Sequence, residues 1–182
     1  MRLFTALWPP DDVVRDLAAA LRRGGEAVDP VPGRPVPRRE WHVTLGFHGE
    51  VAEPARRAAG LRAALVGRRA PRLRIAGAGV FPGVLWAGVE SAGPEDQAAL
   101  SALVAAVGEA DPAEFRPHVT VARWSRRAAP DVTAAVAALQ PYTSRWWTPE
   151  EVLVVRSDAG ERSRYSAYQR IALGAGTGRG GR

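Results

Sequence analysis

The chain reads as an α+β fold, and three observations predict it. Segments of period two alternate with segments of helical period from end to end. The alternation lacks the long parallel-strand rhythm of a doubly wound sheet, which separates it from the α/β class. One tripeptide, His-Val-Thr, occurs twice, at His42 and at His118, each time on a stretch that reads as a strand. Two similar halves, each offering one such strand, would account for the repeat as an internal duplication.

Arg2 to Leu7 is apolar and alternating, a strand. Pro9, Pro10 and two aspartates then open a helix that runs to about Arg23, where Gly24 and Gly25 stop it. Residues 26–40 hold four prolines and a glycine, a loop that cannot join a regular ladder. Trp41 to Phe47 alternates again and carries the first His-Val-Thr. Pro54 to about Arg69 is a helix with an arginine-coated outer face. Leu73 to Val80 and Val84 to Val89 are strands joined through Phe-Pro-Gly into a hairpin. Pro94 to Gly108 is a helix whose Glu95 and Asp96 complement the dipole of its first turn. His118 to Ala122 is the strand of the second tripeptide. Asp131 to Gln140 is helical, Val152 to Val155 a short β-branched strand, and Tyr165 to Leu173 a last strand. Residues 1–174 are thus expected as one folded unit and 175–182 as a flexible, glycine-rich tail.

With 182 residues, 46% of them hydrophobic, the chain can bury one sizeable core. Its net charge of +6 would ordinarily point to a polyanionic partner. All 25 basic residues are arginine, however, and with the abundant alanine, glycine and proline this reflects GC-rich coding, so charge alone says little about nucleic acid. The lack of cysteine excludes disulfides, thiolate nucleophiles and cysteine-based zinc sites. The opening MRLFTALWPP is too short and too soon broken by proline for a signal segment, and no apolar run approaches membrane-spanning length. The expectation is a soluble cytoplasmic monomer with no membrane partner.

Side chains alternate along a strand, so His42 and Thr44 share one face, as do His118 and Thr120, while Val43, Leu45, Val119 and Val121 point into a core. Each strand offers an imidazole and a hydroxyl on a rigid base. If the halves face each other, the two imidazoles can bracket one atom, one ring removing a proton while the other delivers one. Histidine suits that work because its ordinary pKa, about 6.5, lets both forms exist near neutrality. The threonine hydroxyls can donate hydrogen bonds to the oxygens of an anionic centre such as phosphate. None of these groups needs a metal or cofactor. With seven threonines in the chain, chance would put threonine two places after both of two given histidines roughly once in 700.

The pair HVTL and HVTV is accompanied by the opening MRLFTALWPP, by Gly-Glu-Val after the first motif, and by the hairpin VFPGVLWAGV. The block FRPHVTVAR and the late VVRSDAGERSRYSAYQRIAL complete the pattern. In these features the sequence resembles the two-histidine phosphoesterase superfamily, specifically its RNA 2′,3′-cyclic phosphodiesterase or 2′-5′ RNA ligase-like family. The resemblance covers nearly the whole chain. It implies a bilobal, pseudo-twofold fold whose lobes of antiparallel sheet, flanked by helices, enclose a cleft. It also implies metal-independent opening of RNA 2′,3′-cyclic phosphate ends, tRNA fragments among them, to 2′-phosphates, with 2′-5′ ligation as the reverse reaction. In that scheme His42 protonates the departing 3′ oxygen and His118 activates water. Arg123 matches the arginine that closes the second motif, where a guanidinium could hold phosphate bidentately. Strict alternation puts Arg123 on the face opposite His118, so it reaches a cleft only if the strand ends or bulges there. Gly46 stands where relatives often carry a basic residue.

His48 shares a strand face with His42 on paper, but a zinc site needs more ligands than the sequence supplies nearby, and a surface or loop position is expected. Trp8, Trp41, Phe47 and Phe115 are candidates either to stack on a nucleobase or to pack a core. Trp146 and Trp147 suit a strand or a lobe interface. The arginine pairs read as solvated faces, with Arg38 and Arg39 before the first motif able to guide RNA ends. Two other functions stay open at this point. One is hydrolysis of small cyclic phosphate nucleotides of the ADP-ribose cyclic phosphate type, and the other is a non-catalytic RNA-binding module.

Overall fold

The computed structural model describes residues 1–23, 33–125, 127, 129–158 and 164–174. The glycines at 24 and 25 and the tail 175–182 lie outside them. Among the described residues, eight strands build one antiparallel sheet. They are β1 (Arg2–Leu7), β2 (Arg34–Pro35), β3 (Val43–Glu50), β4 (Leu73–Phe81), β5 (Val84–Ser91), β6 (His118–Arg123), β7 (Glu151–Asp158) and β8 (Arg164–Ala172). Their order is β4-β5-β6-β3-β1-β7-β8, with β2 attached to β6. The two halves, β3-β1-β7-β8 and β6-β5-β4, meet through a single residue pair, Val43 with Val119. Each half has a His-Val-Thr strand as its inner edge, so the two lobes are halves of one sheet joined at a point.

Four helices, α1 (Asp11–Arg23), α2 (Pro54–Leu65), α3 (Pro94–Val107) and α4 (Thr133–Leu139), contribute to one large core. In α1, Val13, Leu17 and Leu21 recur every fourth residue and are buried, while Asp11 and Asp12 complement the dipole of the first turn. α3 starts on Pro94 and stops at Gly108, whose φ of 75° is left-handed, the usual glycine terminator. Leu3, Val43, Leu45, Leu73, Ile75 and Val119 meet these helices from the sheet. The opposite face of the first half carries only a small cluster, Phe4, Ala6 and Val155, against which Trp8, Leu153 and Tyr165 pack. That thinner face holds the candidate site. No helix among the described residues is long and apolar enough to cross a membrane.

Several boundaries differ from the sequence reading. β3 begins at Val43 rather than Trp41, which leaves His42 at the strand entrance. α2 stops at Leu65, four residues early, and Gly67 follows with φ 72°. β7 extends through Asp158 because its pairing with β1 and β8 outlasts its apolar run. The proline-rich loop was expected to stay outside any ladder, yet Arg34 and Pro35 pair with Arg123 and Ala122, and Val36 N–H bonds the Val121 carbonyl at 2.8 Å. β3 contacts β6 only at Val119, so the end of β6 leaves an edge that a proline-containing segment can occupy.

Candidate active site

Both motif strands carry the same irregularity. Opposite β5, Thr120 pairs with Trp86 and Ala122 with Leu85, leaving Val121 as an extra residue. Opposite β1, Thr44 pairs with Ala6 and Gly46 with Thr5, leaving Leu45 extra. Each bulge follows the threonine directly, and each sends two consecutive residues, Leu45–Gly46 or Val121–Ala122, into the buried side. The alternation is thereby reset. Arg123 comes back to the face of His118 and Thr120, and Phe47, at the matching place after His42, comes back to the face of Thr44.

The same reset carries His48 away from His42. Its side chain is 1% exposed, with Nε2 2.6 Å from the Thr5 hydroxyl and Nδ1 3.0 Å from both Glu109 and Arg57. The expectation of a surface histidine is corrected; the residue ties β1 and β3 to α2 and to the segment after α3. Gly46 is buried and reaches the chamber wall, and a Cβ there would come 2.7 Å from both Glu109 Cβ and Val107 Cγ1. A basic side chain at 46 would have to displace these groups. We expect Gly46→Lys to destabilise the fold by about 1–3 kcal/mol through overpacking against the end of α3. Thermal or denaturant unfolding measures this, and an unchanged midpoint would contradict it.

The histidines are held alike. His42 Nδ1 lies 2.6 Å from the Glu40 carbonyl, and His118 Nδ1 lies 2.7 Å from the Arg116 carbonyl, two residues back in each case. A carbonyl only accepts, so Nδ1 carries the proton and donates, leaving Nε2 as the atom that can exchange one. His42 stacks on Trp8 at 4.6 Å and on Phe4 at 4.9 Å between ring centroids, with Tyr165 edge-on at 5.6 Å. His118 meets Phe81 edge-on at 5.2 Å, with Trp86 at 6.1 Å. Trp86 can lie close over β4 because Gly79 beneath it has no Cβ, which would fall 2.2 Å from the indole.

This packing sets the electrostatics. Burial pushes His42 down to about 4; the Glu40 carbonyl opposes the shift, and the charges of Arg123 and His118 add to it. Burial also lowers His118, with the Arg116 carbonyl opposing and Arg123 reinforcing. One guanidinium thus acts on both rings, and among the described residues it has no carboxylate partner. An unpaired cation beside two neutral imidazoles is a seat for an anion.

Beside His118 lies a chamber of about 530 Å³ lined by Thr44, Thr120, His118 and Arg123. Phe47, Phe81 and Phe115 also line it, with Glu109, Asp111 and Glu114 from the segment between α3 and β6. Of the four aromatic candidates, Trp41 is core, its indole N–H bonded to the Val36 carbonyl. Trp8 packs on His42, while Phe47 is 65% exposed. Trp147 is buried and bonds Leu73 in both directions, and Trp146 lies under Arg72 and Arg74. The sequence reading singled out neither Phe81, Tyr165 nor the three carboxylates for the site, because each comes from an element other than the motif strands.

Two histidine-threonine strands joined at one seam, each imidazole locked by its own backbone, define the two-histidine phosphoesterase class. Residues 8–161 match the 2′-5′ RNA ligase superfamily, and the chain belongs to that family. A Geobacillus stearothermophilus protein named RNA 2′,3′-cyclic phosphodiesterase is 32% identical over 182 residues, covering 90% of this chain and 55% of that relative. The chain spans about half the length of the curated relatives it matches. A Thermus thermophilus crystal structure superposes with a TM-score of 0.64 at 29% identity, covering 95% of this chain and 98% of that one. Crystalline E. coli LigT complexed with phosphate gives a TM-score of 0.65 at 26% identity, covering 95% and 97%.

Proposed function

We propose that this protein hydrolyses the 2′,3′-cyclic phosphate ends of RNA to 2′-phosphates, without metal or cofactor, by acid-base catalysis between His42 and His118. The observation that carries this reading is the matched pair of imidazoles, each with Nδ1 engaged by a backbone carbonyl and Nε2 left to exchange a proton. His118 takes a proton from water, whose oxygen bonds to phosphorus. The bond from phosphorus to the 3′ oxygen breaks, and His42 gives that oxygen its proton. One water is consumed and the two rings exchange protonation states; a proton passed back through solvent resets them. Thr44 and Thr120 donate hydrogen bonds to the non-bridging oxygens, and Arg123 balances their charge. With the 5′ hydroxyl of a second RNA end in place of water, the same roles apply: His118 takes the proton of that hydroxyl, its oxygen bonds to phosphorus, the 3′ oxygen leaves with the proton of His42, and a 2′-5′ linkage results. The protein acts in the cytoplasm as a monomer on ends such as those of cleaved tRNA. A chamber large enough for one nucleotide also suits the second reading, small cyclic phosphate nucleotides.

The test is turnover of a short RNA ending in a 2′,3′-cyclic phosphate, with and without EDTA. Metal-independent release of 2′-phosphate supports the proposal. Turnover confined to small cyclic nucleotides selects the second reading, and binding without turnover leaves an RNA-binding module.

The pH profile has a defined sign. Catalysis needs one ring neutral and one protonated, and both free-protein pKa values lie below the ordinary 6.5. The profile of kcat/KM should therefore peak on the acid side of 6.5 and fall as pH rises through neutrality. An anionic substrate raises both rings, so the kcat profile should lie at higher pH than that of kcat/KM. Coincident profiles centred above 7 would contradict this.

A further inference from the structure

We propose that the chamber beside His118 is a nucleobase pocket that prefers guanine on the nucleotide bearing the cyclic phosphate, an inference that rests on the proposed activity. The chamber is continuous with the catalytic face, since His118, Thr44, Thr120 and Arg123 line it. A group attached through ribose to a phosphate held there would enter it. Its volume, about 530 Å³, falls in the range of small-ligand pockets. Its lining carries three carboxylates, Glu109, Asp111 and Glu114, and two arginines, Arg116 and Arg123, of which Arg123 is the one whose charge acts on both histidines. The carboxylates outnumber the arginines on this lining, which favours the uncharged end of a nucleotide over a further phosphate.

Phe47 supplies the platform. The bulge at Leu45 returns it to the cleft face, Phe4 backs it at 6.0 Å between centroids, and it remains 65% exposed. An exposed aromatic ring on a nucleotide-sized chamber is a stacking surface for any base. Discrimination then falls to the carboxylates. Glu109 is occupied by Arg57 and His48, and Asp111 accepts the Ala113 N–H at 2.9 Å. Glu114 has no side-chain partner among the described residues. A carboxylate only accepts hydrogen bonds. Guanine alone among the four bases presents two adjacent donors, the ring N–H and the amino group, on its pairing edge. The other three place an acceptor next to each donor, which a carboxylate repels.

Equilibrium binding of 2′-GMP and 2′-UMP, alongside turnover of the four nucleoside 2′,3′-cyclic phosphates, tests this. The parent should bind 2′-GMP about tenfold tighter than 2′-UMP. Glu114→Gln should remove that preference, and Phe47→Ala should weaken both ligands by about tenfold or more while Phe47→Trp retains them. Equal binding of the two nucleotides overturns the pocket even if every cyclic phosphate is hydrolysed. A guanine preference dependent on Glu114 upholds it even if none is hydrolysed, in which case the catalytic reading alone has failed.

Discussion

Alanine in place of either His42 or His118 is expected to lower kcat on an RNA 2′,3′-cyclic phosphate by about 10²–10⁴-fold, the range general acid-base catalysis contributes. The double variant should be little worse than the poorer single one, because the two rings act within one step. Substrate binding should survive, since Arg123 and the threonines remain. The assignment of roles has its own readout. A phosphodiester with a nitrophenolate leaving group needs no proton for departure, so His42→Ala should lose much less on it than on the cyclic phosphate. His118→Ala should be as poor on both, because water activation is still required. The reverse pattern would exchange the roles. The strong lowering of His42 makes this informative: its ring is neutral in the free protein near pH 7, so the acid's proton must be taken up as the anionic substrate binds. Variants within about a factor of ten of the parent on the cyclic substrate would dismiss the mechanism.

The sequence carried the parts of this site that obey simple periods. The faces of His42, Thr44, His118 and Thr120 were legible because the three residues from histidine to threonine before each bulge keep strict alternation, and the helices were legible from their apolar spacing and proline starts. What period two cannot contain is an extra residue. The bulges at Leu45 and Val121 change nothing in composition, yet they decide that Arg123 and Phe47 face the cleft and that His48 does not. The chamber was invisible for a different reason. Its walls come from both motif strands, the β4–β5 hairpin and the segment after α3, and these meet only because the halves join at Val43 and Val119. Pro35 misled by a sound rule, since a proline is barred from the interior of a ladder but not from its edge.

Arg123→Ala is expected to reduce kcat/KM by about 10²–10³-fold, the usual cost of losing a charged group aimed at developing negative charge. Arg123→Lys should recover only part of this, because an ammonium restores the charge without the two-pronged contact to phosphate oxygens. A loss of that size could also follow from disturbed packing, but the pH profile separates the cases. The guanidinium lowers both histidines, so removing it must raise both, and the kcat/KM profile of Arg123→Ala should move to higher pH. Arg123→Lys should leave the profile near its original position. If alanine costs less than about threefold and the profile stays still, the arginine is a solvent-facing residue after all. The expected result carries a wider consequence. Both motif strands bulge after their threonine and return the fifth residue beyond the histidine to the cleft, but one half presents an arginine there and the other a phenylalanine. A site built on two like strands becomes directional through that difference, with phosphate charge met from the second half and an aromatic surface offered by the first.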